Sequence, residues 1–273
     1  MNNSVNTNVS AIVALQSLNR TNTQLESVQK RVSTGFRVND AVDDGAAFAV
    51  AQGLRSDVKA NEAVNERLSA AKGLVNVTGD ALRSISDTLG QARAVLVKLA
   101  DGNLSADERT RYGADLAALE AEVSNYVTQA EFNGTNLLST AGPAAVNVIA
   151  SIDGTNPIAL ARQDVETTLA GALGAVADAA AAVTRLSGTF ATYENLIGSA
   201  LATVGGYSRR IDNQAGFVNI LNDATTSGVG AIVDADLAKE SARLQAMQIR
   251  QQLGTQTLSI ANQSPSILLR LFQ

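Results

Sequence analysis

Apolar side chains recur at intervals of three and four near the start of the chain, at Val5, Val9, Ile12, Leu15 and Leu18, and again at Leu25, Val28 and Val32. Near the other end Ala246, Ile249, Leu253, Ile260 and Ile267 keep the same rhythm, with Leu244 and Leu268 beside them. This spacing predicts an amphipathic helix at each terminus. The polar positions between are Asn, Gln, Ser and Thr, and residues 1–19 and 251–269 contain no Asp, Glu, Lys or Arg. Uncharged amides and hydroxyls can be buried once they are hydrogen-bonded, whereas charges resist burial. Fixing each terminal residue costs about 1–2 kcal/mol of backbone entropy, while a buried aliphatic side chain returns roughly 1.5–3 kcal/mol. Two such helices alone are marginal; packed among copies of themselves they bury several faces. The ends are built for self-assembly.

Between the ends, prolines occur only at 143, 157 and 265, so long helices are permitted in both halves. A first helix is expected over 4–33, stopping at Gly35, and a second over 45–99, stopping at the turn-forming Asp101-Gly102-Asn103. Fifty-five residues at 1.5 Å each span roughly 80 Å, too long for a globule with a radius of gyration near about 19 Å, so a rod is expected. Ser105 and Glu108 have capping-box spacing and start a third helix reaching Gln129, with Leu116, Leu119, Val123 and Val127 on one stripe. Asn133-Gly134 marks a tight turn. Val146 to Ile149 and Ile158 to Leu160 flank Asp153-Gly154 as a short β-hairpin, the one strand pair expected. Asp164 is read as the cap of an Ala-rich stretch to Val204, with Gly205-Gly206 as a joint, a further segment from Tyr207 to Ala224 and a loop over Thr225 to Gly230. Asp234 is read as the cap of the last helix, which should end before Pro265.

The fold class expected is mainly α: an elongated antiparallel helical bundle or coiled coil formed by the N- and C-terminal halves, with a small β-hairpin region. Residues 1–40 and 231–273 would be the assembling terminal helices. Residues 41–230 would be a rod-like helical core domain with the hairpin near 141–163.

Composition removes most chemistry. The 273 residues include no Cys, His or Trp, which excludes thiolate or imidazole catalysis, disulfides and the usual zinc ligands. Aromatic residues make up 4%, leaving a core of Ala, Val, Leu and Ile suited to close helix packing. The net charge of -5 gives no basic footprint for nucleic acid, and no stretch approaches the roughly 20 apolar residues of a membrane span. No cleavable secretory signal is visible in residues 1–19. Gly228-Val229-Gly230 lacks the third glycine of a dinucleotide turn, and no cofactor is expected. Asp40, Asp43 and Asp44 lie in one loop, where caps outweigh a cation site. Arg37, in the same loop, is read as half of a surface ion pair with Asp40 or Asp43.

Five strings carry a family resemblance. Ser4-Val5-Asn6-Thr7-Asn8, RVSTGFRVNDAVDDGAAFAVA at 31–51, EFNGTNLL at 131–138, VDADLAKESARLQAMQIRQQLG at 233–254 and LSIANQSPSILLRLF at 258–272 closely resemble bacterial flagellin, in the right order at both termini. The likeness covers residues 1–140 and, more loosely at first, 175–273.

The resemblance implies a homopolymeric helical filament for swimming motility, with paired terminal helices as its inner tube. Assembly residues implied on this basis are Val5, Val9, Ile12, Leu15, Leu18, Arg37, Asp40, Asp43, Leu244, Ile249, Leu253, Ile260, Ile267 and Leu268. It further implies type III export through the flagellar apparatus, an export chaperone, and contacts with cap and hook-junction proteins, on an extracellular filament. Only about 35 residues separate the halves, so this resembles a short form without large outer domains. At 89–101, Gln91 and Ala94 stand where the segment seen by a Toll-like receptor carries charge, which weighs against that recognition. Hook–filament junction proteins share the terminal pattern but not the full strings. A secreted membrane-active protein, the reading from another class, would carry Lys or Arg on the polar faces of its helices.

Overall fold

The computed structural model describes residues 7–270, with side chains to residue 263. Its elements are α1 (Val9–Thr34), α2 (Gly45–Leu99), α3 (Ala106–Gln129), β1 (Glu131–Phe132), β2 (Thr135–Asn136), β3 (Ala145–Val148), β4 (Ile158–Ala161), α4 (Leu169–Leu173), α5 (Ala179–Ser187), α6 (Thr189–Val233) and α7 (Leu237–Arg270). The fold is mainly α, with two small antiparallel strand pairs among the described residues.

The early helices follow their sequence signals, except that α1 starts at Val9, and Thr7 and Asn8, expected within it, are not helical. Asn8 caps α1 by accepting the Ala11 amide, and α1 stops where Gly35 turns left-handed at φ 75° and returns its N–H to Arg31. At α3 both halves of the Ser105–Glu108 capping box are formed. Asn133 and Gly134 hold φ of 49° and 77°, the geometry of a two-residue hairpin turn, so they join β1 to β2 as a second strand pair. In β3–β4, Val146 faces Leu160 and Val148 faces Ile158.

The C-terminal half departs from expectation. Helix α6 runs unbroken through Gly205-Gly206 and through Thr225 to Gly230. Ile197, Val204, Ile211 and Val218 are buried at seven-residue spacing, and Val229 and Val233 are buried further on. That packing outweighs the roughly 1 kcal/mol each glycine costs a helix. Asp164 does not start a long helix; its stretch breaks into α4 and α5, and Asp178 caps α5 through the Ala181 amide. Asp236, not Asp234, caps α7, accepting the Lys239 amide. Asp234 is instead drawn into a bridge with Phe36. The backbone of α7 stays helical past Pro265.

Two compact units divide the chain: residues 57–223 form one, and residues up to Ser56 with those from Ala224 form the other. The core of the larger unit is a seam on α2. Val64, Leu68, Ala71, Val75, Thr78, Leu82, Ile85, Leu89, Ala92, Leu96 and Leu99 alternate spacings of four and three, and all are buried. This is the 3.5-residue repeat of a coiled coil. Antiparallel to it, α6 is tied by Lys72 to Asp212, by Arg93 to Glu194 and by Asn65 to Asn219. The smaller unit has its own apolar cluster of Val38, Ala51, Val229 and Val233, with Phe36 and Phe48 against it.

Candidate assembly interface

In the smaller unit α1 and α7 lie antiparallel. The Asn8 side chain donates to the Ala261 carbonyl at 2.7 Å, Gln251 donates to the Asn22 side chain at 2.9 Å, and Arg31 meets Glu240 at 3.6 Å. Gly254 brings the backbones close: a Cβ there would stand 3.1 Å from the Leu18 side chain.

The facing positions again repeat every 3.5 residues. On α1 they are Ala11, Ala14, Leu18, Thr21, Leu25, Val28 and Val32; on α7 they are Glu240, Leu244, Met247, Gln251, Gly254, Leu258 and Ala261, and every one is at least half-buried. Burial is strongest at one end, where Leu25, Val28 and Met247 sit, and fades toward Ala11 and Ala261. Small and polar residues dominate the weak end.

The sequence-predicted stripes are therefore divided by the structure. Leu18 and Leu244 join the seam. Val9 (51% exposed), Ile12 (57%) and Leu15 on α1, and Ile249, Leu253 (58%) and Ile260 (63%) on α7, remain open to solvent. At about 100° per residue, Ile249 lies roughly 160° round from Met247, and Leu253 and Ile260 lie roughly 100–120° round from Gly254, so these large aliphatics are turned off the seam. Val5 lies outside the described residues, as do the side chains of Ile267 and Leu268. Sequence periodicity found these residues and part of the seam, Leu18, Leu25, Val28 and Val32, but not its small and polar members, because alanine, glycine and glutamine do not register as an apolar stripe.

The loop after α1 is a joint. The Arg37 and Val38 amides donate to the Val233 carbonyl, and the Ala235 amide donates to the Gly35 carbonyl, closing a short backbone bridge. The Arg37 guanidinium donates to the Ile232 carbonyl, so the expected ion pair with Asp40 or Asp43 is not made. Lys30, one turn before the end of α1, takes that place, at 2.6 Å from Asp40 and 3.2 Å from Asp43. Its hydrogen bonds to Asp40 and then Asp43 raise its pKa above the ordinary lysine range. Asp40 is held below the usual carboxylate range first by Lys30 and then by the Val42 amide; Asp43 is lowered first by the Asn39 amide and then by Lys30. Asp44 caps α2 through the Ala47 amide. The signal for Lys30 was its position one turn before the end of α1, beside a carboxylate-rich loop.

Beside this joint, Glu240 is buried with Arg31 at 3.6 Å and Arg243 at 3.9 Å, and its second oxygen has no hydrogen-bond partner among the described residues. These residues suit helix pairing; no group of three acidic residues among the described ones is placed to hold a metal. No described helix is long and apolar enough to cross a membrane.

Comparison with known proteins gives this geometry a family. Residues 5–142 match the bacterial flagellin N-terminal helical region, and residues 192–272 match the bacterial flagellin C-terminal helical region. The chain belongs to the flagellin family. It is 36% identical to flagellin FljO of Caulobacter vibrioides over 275 residues, covering 99% of both chains. A flagellin of Brucella melitensis is likewise 36% identical over 286 residues, with 99% of each chain covered. The crystal structure of Bacillus cereus flagellin shares the fold with a TM-score of 0.52 at 22% identity, covering 56% of this chain and 88% of that one. Flagellins are a structural rather than an enzymatic family. Both flagellin-like stretches reach into α1 and α7, while the β3–β4 hairpin, α4 and α5 lie between them.

Proposed function

We propose that this chain is the structural subunit of a bacterial flagellar filament, an extracellular appendage, and that it polymerises with copies of itself. One observation carries the reading: the charge-free ends of α1 and α7, over 9–19 and 251–261, meet through a seam in which small and polar residues dominate, and turn large aliphatics outward. An outward row of Val9, Ile12, Leu15, Ile249, Leu253 and Ile260 is a liability for an isolated chain and an asset in a tube of repeated helices. Residues 1–40 and 231–273, including Val5, Ile267 and Leu268, would line that inner tube, with Leu18 and Leu244 pairing the two helices. Residues 41–230 would form the surrounding core.

Arg37, Asp40 and Asp43 serve assembly by fixing the joint between α1 and α2. Arg37 does so through the Ile232 carbonyl, and the two aspartates do so through Lys30. Export through the flagellar type III apparatus with a chaperone, and contact with cap and hook-junction proteins, belong to the same reading. Nothing observed favours a junction protein or a membrane-active protein. Purified monomer added to filament seeds should elongate them as seen by electron microscopy. Seeds that never lengthen at any protein concentration would refute the reading.

A further inference from the structure

Glu240 is the one charged side chain buried among the described residues. It belongs to the α1–α7 seam and lies in the first turn of α7. Two guanidinium groups approach it and neither reaches it. Arg31 Nη1 stands 3.6 Å and Arg243 Nη1 3.9 Å from the same oxygen, Oε1. A charge-assisted N–H···O contact closes at about 2.7–2.9 Å, so both are ion pairs without a hydrogen bond. The other carboxylate oxygen, Oε2, and Arg31 Nε are shielded from solvent and have no hydrogen-bond partner among the described residues. One pair therefore holds an unmet donor and an unmet acceptor at once.

Neighbouring groups do not relieve it. Asp40 and Asp43 are engaged by Lys30, and Arg31 forms no second ion pair among the described residues. The pair sits where the two helices are tethered. The Arg31 carbonyl accepts the Gly35 amide that ends α1, and the Gly35 carbonyl accepts the Ala235 amide just before α7.

Unmet polar atoms on charged groups are tolerable while water still reaches the group, and 29% of the Arg31 side chain is exposed. Assembly along the outward row of α1 and α7 excludes that water. As the local dielectric falls, the attraction between guanidinium and carboxylate strengthens and the penalty on unmet atoms grows. Both changes favour a turn of the guanidinium that brings Nε and a terminal nitrogen onto the two carboxylate oxygens, closing the 3.6 Å approach to about 2.8 Å.

We propose that Arg31 and Glu240 form a clasp that is open in the monomer and closes on assembly, locking α1 to α7 beside the joint. The clasp rests on the filament reading above and adds a coupling to it. A subunit whose terminal helices become buried gains a contact that the free chain lacks.

Arginine's planar fork makes a two-point contact that lysine's single ammonium does not, so Arg31→Lys keeps the charge and removes the clasp. Arg31→Lys and Glu240→Gln should each raise the critical concentration for seeded growth about tenfold. The double variant should do no worse than the poorer single one, because the clasp is already lost. In the monomer, Arg31→Lys should change amide exchange in α1 and α7 by less than about threefold, as removing an open pair does. Electron microscopy of wild-type filaments at atomic detail should show two N–O contacts of about 2.7–3.2 Å between the two side chains. Wild-type chain that never elongates seeds would defeat the filament reading itself. Wild-type filaments in which the pair stays open or is bridged by water, or normal growth of Arg31→Lys, would overturn only the clasp. Losses that multiply in the double variant would also overturn it, because independent residues behave that way.

Discussion

Two helical seams in this chain share one geometry and differ in content. On α2, the buried 3.5-residue repeat from Val64 to Leu99 is filled chiefly by Leu, Ile and Val. Between α1 and α7 the same repeat is filled at one end by Leu25, Val28 and Met247 and at the other by Ala11, Ala14, Gly254 and Ala261. Each large aliphatic taken fully from water contributes roughly 1.5–3 kcal/mol, and an alanine contributes far less. The α2 seam therefore stabilises its unit without help. The terminal seam aligns two helices and leaves most of their apolar surface for something else, which in a homopolymer is another copy.

Charge in the outward row is the most damaging change. Leu253→Asp should abolish pelleting of filament with wild-type seeds, because a carboxylate would be desolvated where residues 251–269 offer no basic partner. The monomer should keep its helical circular dichroism. Next in size is a direct contrast of the seams by truncation. Leu82 is fully buried, so Leu82→Ala should destabilise the monomer by about 2–5 kcal/mol in denaturant melts. Leu253 is 58% exposed, so Leu253→Ala should change that melt by less than about 0.5 kcal/mol while weakening filament growth. Equal effects of the two on the monomer would erase the distinction between the seams.

The smallest effect expected is on the joint. Asp40 and Asp43 are lowered from 3.8, so their contribution is fully present above that value and is lost as the pH falls below it. Lys30 is raised from 10.5, so its contribution persists to that value and disappears above it. Amide exchange at Asn39 and Val42, whose N–H groups bond to Asp43 and Asp40, should therefore be slowest between these limits. Monotonic exchange through pH 3.8, after correction for intrinsic rates, would remove the role given to the pair.

Elements whose signals are local were legible in the sequence. The ends of α2, the Ser105–Glu108 box and the Gly35 stop all depend on neighbours within a few residues. Elements decided by distant partners were not. Gly205-Gly206 reads as a joint until Val204, Ile211 and Val218 are seen to pack on α2, and Thr225 to Gly230 reads as a loop until Val229 and Val233 are seen buried beside Val38 and Ala51. In the assembly site, the outward aliphatics were visible as a stripe. Their orientation was not, since it depends on a seam whose free end, at Ala11, Ala14, Gly254 and Ala261, has little hydrophobic signature. Arg37 was misassigned for a related reason: its partner is a backbone carbonyl at Ile232, which side-chain chemistry cannot announce.

Hydrogen exchange measured on monomer and on filament tests the central claim most directly. In the monomer, amides of α1 and of α7 should exchange much faster than those of the α2 seam, fastest toward Ala11 and Ala261, because a helical pair held there only by small and polar residues opens readily. In the filament, the terminal amides should become as slow as those of α2. Terminal amides already as protected as the α2 seam in a verified monomer, or still fast in the filament, would contradict the account.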